Sequence, residues 1–257
     1  MNRIKQTIEQ KGGDILNVYF TAGYPNLNST TEVITALASC GVDLIELGMP
    51  YSDPLADGTT IQQSSEQALK NGLNLKLLFE QIKEARSRTD VPIIMMGYFN
   101  QLLQYGEEKF LKQAAECKVD GMIIPDMPMN VYERNYKELF EQYGLGMSFL
   151  ITPMTSDDRI QQADKLSSAF IYVVSSSSIT GKSGDISQEQ LAYFDKIKNM
   201  NLNSPRLIGF GIHDKATYDT ACANSHGAII GSAYIRALKG SNNIAQTTET
   251  FIKNIRG

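Results

Sequence analysis

The sequence predicts an α/β fold, a (β/α)8 TIM barrel forming one domain over residues 1–257 with an extra N-terminal helix. Eight short apolar or β-branched runs alternate with longer helical patterns, as parallel strands do with the helices that connect and cover them. Most of the runs are apolar throughout, as strands buried on both faces must be. No Pro/Gly/Ser-rich or charge-rich stretch divides the chain, and 257 residues suit one barrel core.

Residues 1–6 open an amphipathic helix and do not have the form of a signal peptide. The first strand, 16–21, runs into Thr21-Ala22-Gly23-Tyr24-Pro25. That turn lacks the glycine spacing a doubly wound nucleotide-binding sheet needs after its first strand, so the open sheet is the second choice. The remaining strands are expected at 44–47, 93–96, 122–124, 147–151, 170–174, 206–209 and 228–230. Helices are expected at 31–39, 60–70, 75–85, 107–117, 131–142, 156–166, 188–199 and 214–223.

Composition removes several function classes. A net charge of −4 with no basic run argues against a nucleic-acid surface. No apolar run is long enough to span a bilayer. Cys40, Cys117 and Cys222 are odd in number and far apart, which fits neither a disulfide framework nor a zinc site. They read as buried thiols of a cytoplasmic protein. His213 and His226 read as surface or capping residues, and no histidine–carboxylate cluster points to a metal. No lysine falls within a strand run, which disfavours a Schiff-base aldolase.

Barrel active sites lie where strands end, so the loops there carry the chemistry. The second strand ends Leu44-Ile45-Glu46-Leu47-Gly48. Ile45 and Leu47 suit the helix-facing side, which aims Glu46 into the barrel mouth. Burial raises the pKa of such a carboxyl toward the range useful for proton transfer. A glutamate paired with an interior base is the structural alternative. The following loop holds Asp53-Pro54 and Asp57-Gly58. Asp57 fits a helix N-cap as well as catalysis, and Asp53 fits a turn. Gly209-Phe210-Gly211 and Gly231-Ser232-Ala233 end the seventh and eighth strands, the usual phosphate position in such barrels. Turn glycines and a serine cap are the plainer reading. Residues 175–185 form a long polar loop suited to a lid, or simply to a surface loop.

The run from Glu46 to Gln62, Glu-Leu-Gly-Met-Pro-Tyr-Ser-Asp-Pro-Leu-Ala-Asp-Gly-Thr-Thr-Ile-Gln, resembles the signature of the tryptophan synthase alpha chain family. Tyr19 to Pro25, Met96 to Asn100, Asp120 to Pro128, Gly209 to Ile212 and Gly231 to Ala233 are similar to further family segments, so the resemblance covers nearly the whole chain. It implies cleavage of indole-3-glycerol phosphate to indole and glyceraldehyde 3-phosphate. Glu46 and Asp57 are then the catalytic acids. Tyr19, Met96, Ile123, Ile151 and Tyr172 then surround the indole ring, although each equally suits a barrel core. Gly181, Phe210, Gly211, Gly231 and Ser232 then bind phosphate, Thr180 belongs to the lid, and Asp53 and Pro54 contact a beta subunit. Ser176 departs from the family, which usually carries arginine there, and this leaves lid closure open.

The resemblance further implies no cofactor in this chain, pyridoxal phosphate in the beta partner, and an α2β2 heterotetramer. Glu46 would move protons at the ring carbon and the hydroxyl, and ionised Asp57 would stabilise the ring N–H. Two other readings stand beside it: a standalone indole-releasing lyase, and a weakly active module that mainly activates a partner enzyme. A sugar-phosphate epimerase would want a metal cluster or paired bases, which are absent from the sequence pattern.

Overall fold

A computed structural model describes residues 2–175, 187–209 and 211–257. Its elements are α1 (Arg3–Lys11), β1 (Ile15–Thr21), α2 (Ser29–Ser39), β2 (Leu44–Gly48), α3 (Thr59–Lys70), α4 (Leu75–Arg86), β3 (Ile93–Met96), α5 (Phe99–Tyr105) and α6 (Glu107–Glu116). Then come β4 (Gly121–Ile123), α7 (Met129–Val131), a π-helical turn (Tyr132–Tyr136), α8 (Lys137–Gln142), β5 (Gly146–Ser148), β6 (Leu150–Ile151), α9 (Asp157–Leu166) and β7 (Ile171–Val174). The chain finishes with α10 (Gln188–Asn199), β8 (Arg206–Gly209), α11 (Lys215–Asn224), β9 (Gly227–Ile230), α12 (Ser232–Leu238) and α13 (Ile244–Arg256).

All strand pairs are parallel, in the order β5-β4-β3-β2-β1-β9-β8-β7-β6. The two ends of this sheet, β5 and β6, are consecutive pieces of one barrel strand separated at Phe149. Phe149 still bridges the gap: its carbonyl accepts from the Tyr172 N–H at 2.9 Å and its N–H donates to Ser167 Oγ at 3.2 Å. The result is the predicted (β/α)8 barrel, nearly closed. The helix expected over 131–142 is interrupted by the π turn, which hydropathy does not register because Tyr132, Tyr136 and Phe140 remain buried on one side.

Strand alternation separates two cores. Val18, Phe20, Ile45, Leu47, Met95, Met122, Val173 and Ile208 face the helices. Leu44, Ile94, Ile123, Phe170, Tyr172, Leu207 and Ile229 fill the barrel. Ile4 and Ile8 of α1, four residues apart on one helix face, join this interior cluster and are fully buried. Arg3 anchors the same helix to Asp120, just before β4. The extra helix therefore plugs the N-terminal end of the barrel and leaves the strand C-termini as the open face.

Candidate active site

Glu46 lies within β2, beside Tyr19 of β1 and Ile94 of β3 in register. It is 1% exposed. Burial, and secondarily the nearby Asp57, push its carboxyl up to about 8, against a hydrogen bond from Asn17 that lowers it. That bond, Asn17 Nδ2 to Glu46 Oε2, measures 3.0 Å. Among the described residues no cation contributes to the shift, so the alternative of an interior ion pair finds no partner there.

Asp57 is half-buried in the loop after β2. The helix beyond it starts at Thr59 with Gly58 as N-cap and no side-chain capping bond, so Asp57 is not the cap. Its carboxylate instead accepts a hydrogen bond from the Tyr98 hydroxyl. Burial raises Asp57 to about 6, with the Tyr98 bond opposing. The same hydroxyl accepts from the Ala56 N–H at 3.0 Å. Tyr98 stacks on Tyr51, ring centres 5.0 Å apart. Gln101 Nε2 donates to the Pro50 carbonyl at 3.0 Å, and Gln101 Oε1 accepts from the Tyr98 N–H at 2.9 Å. The loop bearing Asp57 is thus tied to the start of α5 at both of its ends. Tyr98 sits within the Met96-to-Asn100 segment, and the sequence pattern does not mark it as a site residue. The available signal was an aromatic side chain with a polar end at a strand terminus.

Asp53 is exposed, Pro54 half-buried, and Leu55 is 89% exposed at the tip of this loop. Pro54 closes a turn by accepting the Asp57 N–H at 3.3 Å.

Tyr19, Met96, Ile123 and Tyr172 share the inward face. Tyr19 pairs with Glu46, and Met96 pairs with Gly48 and Ile123. Tyr19 and Tyr172 lie flat across glycines of adjacent strands: a Cβ on Gly48 would overlap the Tyr19 hydroxyl, and one on Gly209 the Tyr172 ring. Ile151 is not brought to this face. It pairs with Val173 and packs between barrel and helices, while Leu150 pairs with Tyr172 and packs against the interior cluster. The period of two decides it: residues 147, 149 and 151 look outward. Since Met147, Phe149, Leu150 and Ile151 are all apolar, hydropathy alone leaves the phase of this strand open.

Gly211 follows β8 with φ of 81°, a conformation that favours glycine. His213 Nδ1 lies 2.7 Å from the Gly211 carbonyl, so this histidine braces the turn. Gly231 and Ser232 open α12 after β9, half-exposed and beside Tyr19. Gly211 and Gly231 follow the C-terminal ends of β8 and β9, on the open face of the barrel. Phe210, Thr180, Gly181, Ser176 and Lys182 lie outside the described residues. Among the described residues, no group of His, Cys, Asp and Glu is placed to hold a metal ion. No described helix is long and apolar enough to cross a membrane.

The model of the tryptophan synthase alpha chain family matches residues 5–256. The chain belongs to this family. The tryptophan synthase alpha chain of Flavobacterium psychrophilum is 52% identical over 255 residues, covering 99% of this chain and all of that one. That of Parabacteroides distasonis is 48% identical over 256 residues, covering both chains fully. Among solved structures, the Legionella pneumophila tryptophan synthase subunit alpha superposes with a TM-score of 0.89 at 29% identity, over 100% of this chain and 97% of that one. A tryptophan synthase structure from Pyrococcus furiosus superposes with a TM-score of 0.86, also at 29% identity, over 95% and 98%. Membership in the tryptophan synthase alpha chain family makes this chain an enzyme subunit of tryptophan biosynthesis.

Proposed function

We propose that this chain cleaves indole-3-glycerol phosphate by a retro-aldol reaction, releasing indole and glyceraldehyde 3-phosphate. The observation that carries the reading is a pair of carboxyls, Glu46 buried and Asp57 half-buried, both raised by burial but to different extents, Glu46 to about 8 and Asp57 to about 6. At pH 7 these values favour the acid form of Glu46 and the ionised form of Asp57, the division of roles that proton transfer plus charge stabilisation requires. Glu46 gives its proton to the ring carbon that bears the glycerol chain. Positive charge develops at the ring nitrogen, and the Asp57 carboxylate stabilises its N–H. The Glu46 carboxylate then takes the proton of the adjacent hydroxyl as the carbon–carbon bond breaks. The ring recovers its aromaticity, the aldehyde forms, and Glu46 is returned to its acid state.

Tyr19, Met96, Ile123 and Tyr172 would enclose the indole, with Leu150 at the face first expected of Ile151. Backbone N–H groups around Gly211 and Gly231, with the Ser232 hydroxyl, would hold the phosphate, joined by Phe210 and Gly181. Thr180 would belong to the lid. The chemistry requires no cofactor in this chain. A pyridoxal-phosphate-dependent beta subunit would receive the indole in a cytoplasmic α2β2 assembly, docking over Asp53, Pro54 and the exposed Leu55. The reading extends over residues 1–257 as one lyase domain.

The test is turnover of indole-3-glycerol phosphate by the purified chain, alone and with a beta subunit. Slow release of indole that accelerates on adding the partner supports the reading. Fast turnover that ignores the partner indicates a standalone lyase, and no turnover in either case overturns it.

A further inference from the structure

Asn17 occupies β1 two residues before Tyr19, in the inward phase of that strand. Its register partners are Leu44 and Ile229, both members of the apolar interior cluster. The residue is 0% exposed. An amide in such a layer is costly unless hydrogen-bonded, and Val or Leu would fill the position without that cost. Its Nδ2 donates to Glu46 Oε2 at 3.0 Å. Its Oδ1 is buried with no hydrogen-bond partner among the described residues. Neither packing nor full polar satisfaction accounts for this side chain, whereas its neighbour does.

We propose that Asn17 is a positioning residue for Glu46, holding the carboxyl in place through both halves of its proton transfer. This rests on the reading of Glu46 as the proton shuttle. A carboxylate only accepts hydrogen bonds, whereas a carboxylic acid also carries an O–H to donate. A lysine at position 17 would serve the first state and hold Glu46 ionised. The amide serves both. It presents Nδ2 to the carboxylate and, turned over about its terminal torsion, Oδ1 to the acid. Amide orientation is set by the hydrogen-bond network around it, so the turn follows the proton. The unpartnered Oδ1 is the acceptor that the acid state calls for. Bonds to charged groups are the stronger, so the net effect of Asn17 is to keep proton release within reach despite burial. Among the described residues, the other titratable groups around Glu46 are Asp57 from the loop after β2, Tyr19 from β1 and Tyr172 from β7, and none of these is a cation.

The test uses the full chain with a beta subunit. Turnover of indole-3-glycerol phosphate is measured for Asn17→Leu and Asn17→Ser. The infrared carbonyl band of protonated Glu46, identified by its loss in Glu46→Gln, is titrated in each. Asn17→Leu is expected to lower kcat by about tenfold with little change in KM, and to move the carboxyl midpoint up by about one pH unit. Asn17→Ser, whose hydroxyl both donates and accepts, recovers most of the loss. If leucine overfills the layer and the variant does not fold, Asn17→Val gives the same readout. An unshifted midpoint, a native kcat, or a loss of KM and thermal stability together overturns the proposal. If Glu46→Gln itself retained turnover, the proton-shuttle reading would fall, while the midpoint in Asn17→Leu would still report whether the amide governs this carboxyl.

Discussion

Replacing Tyr98 with phenylalanine removes one hydroxyl and leaves the ring that stacks on Tyr51. Two bonds are lost, the one accepted from the Ala56 N–H and the one donated to Asp57. Ala56 is exposed, so water replaces its bond at little cost. The Asp57 bond is charge-assisted and contributes about 1.5–3 kcal/mol, of which about 1.4 kcal/mol would appear as one pH unit. The bond lowers the Asp57 pKa from where burial alone would put it, so Tyr98→Phe raises it above about 6. In the proposed mechanism Asp57 acts ionised, so activity is expected to fall as pH drops through its pKa, and the acidic limb of the rate profile should move upward. With the limb near 6 the carboxylate is about nine-tenths ionised at pH 7, and with the limb near 7 about half, which is only a twofold loss. A misplaced carboxylate costs more, on the order of tenfold or greater. The two effects separate by pH: near pH 8 the population difference fades, and the remaining deficit measures position alone. The assay is indole release against pH, with thermal stability followed in parallel. An unchanged acidic limb together with native kcat would refute the assignment of Tyr98 as the partner of Asp57.

Three further outcomes are expected. Glu46→Gln removes most lyase turnover and at the same time stabilises the fold at alkaline pH. A carboxyl raised from 4.5 to about 8 contributes stability that is full below the unfolded pKa and is lost as pH rises through the folded one, on the order of 4 kcal/mol. Denaturant unfolding at pH 5 and pH 9 checks this, and equal pH dependence in mutant and wild type counts against the shift. Gly211→Asp puts a carboxylate at the proposed anion site, and calorimetry with glycerol 3-phosphate should show lost affinity; unchanged binding removes Gly211 from the site. Asp53→Ala and Pro54→Ala should weaken activation by the beta subunit more than they lower thermal stability. Titration with the partner that activates both variants like wild type would end the coupling role of this loop.

The sequence alone determined the barrel, its N-terminal helix and the aim of Glu46 into its mouth. Those features rest on local periodicity: apolar runs of strand length, helical patterns between them, and side chains that alternate along β2. The motif from Glu46 to Gln62 marked the acidic loop for the same reason, since contiguous residues carry it. Asn17 was legible in principle, as the polar member of an apolar strand in phase with Tyr19, though the phase by itself does not name its partner. What tertiary structure decided is contact between residues far apart in the chain. Tyr98 and Asp57 meet because the loops after β2 and β3 are neighbours on the open face, and that bond, not an N-cap, occupies the Asp57 carboxylate. Leu150 and not Ile151 faces the interior because register against β7 settles a phase that five largely apolar residues leave undetermined. The separation of the two carboxyls to about 8 and about 6 likewise belongs to the folded state. Desolvation acts only once the barrel interior has closed around Glu46.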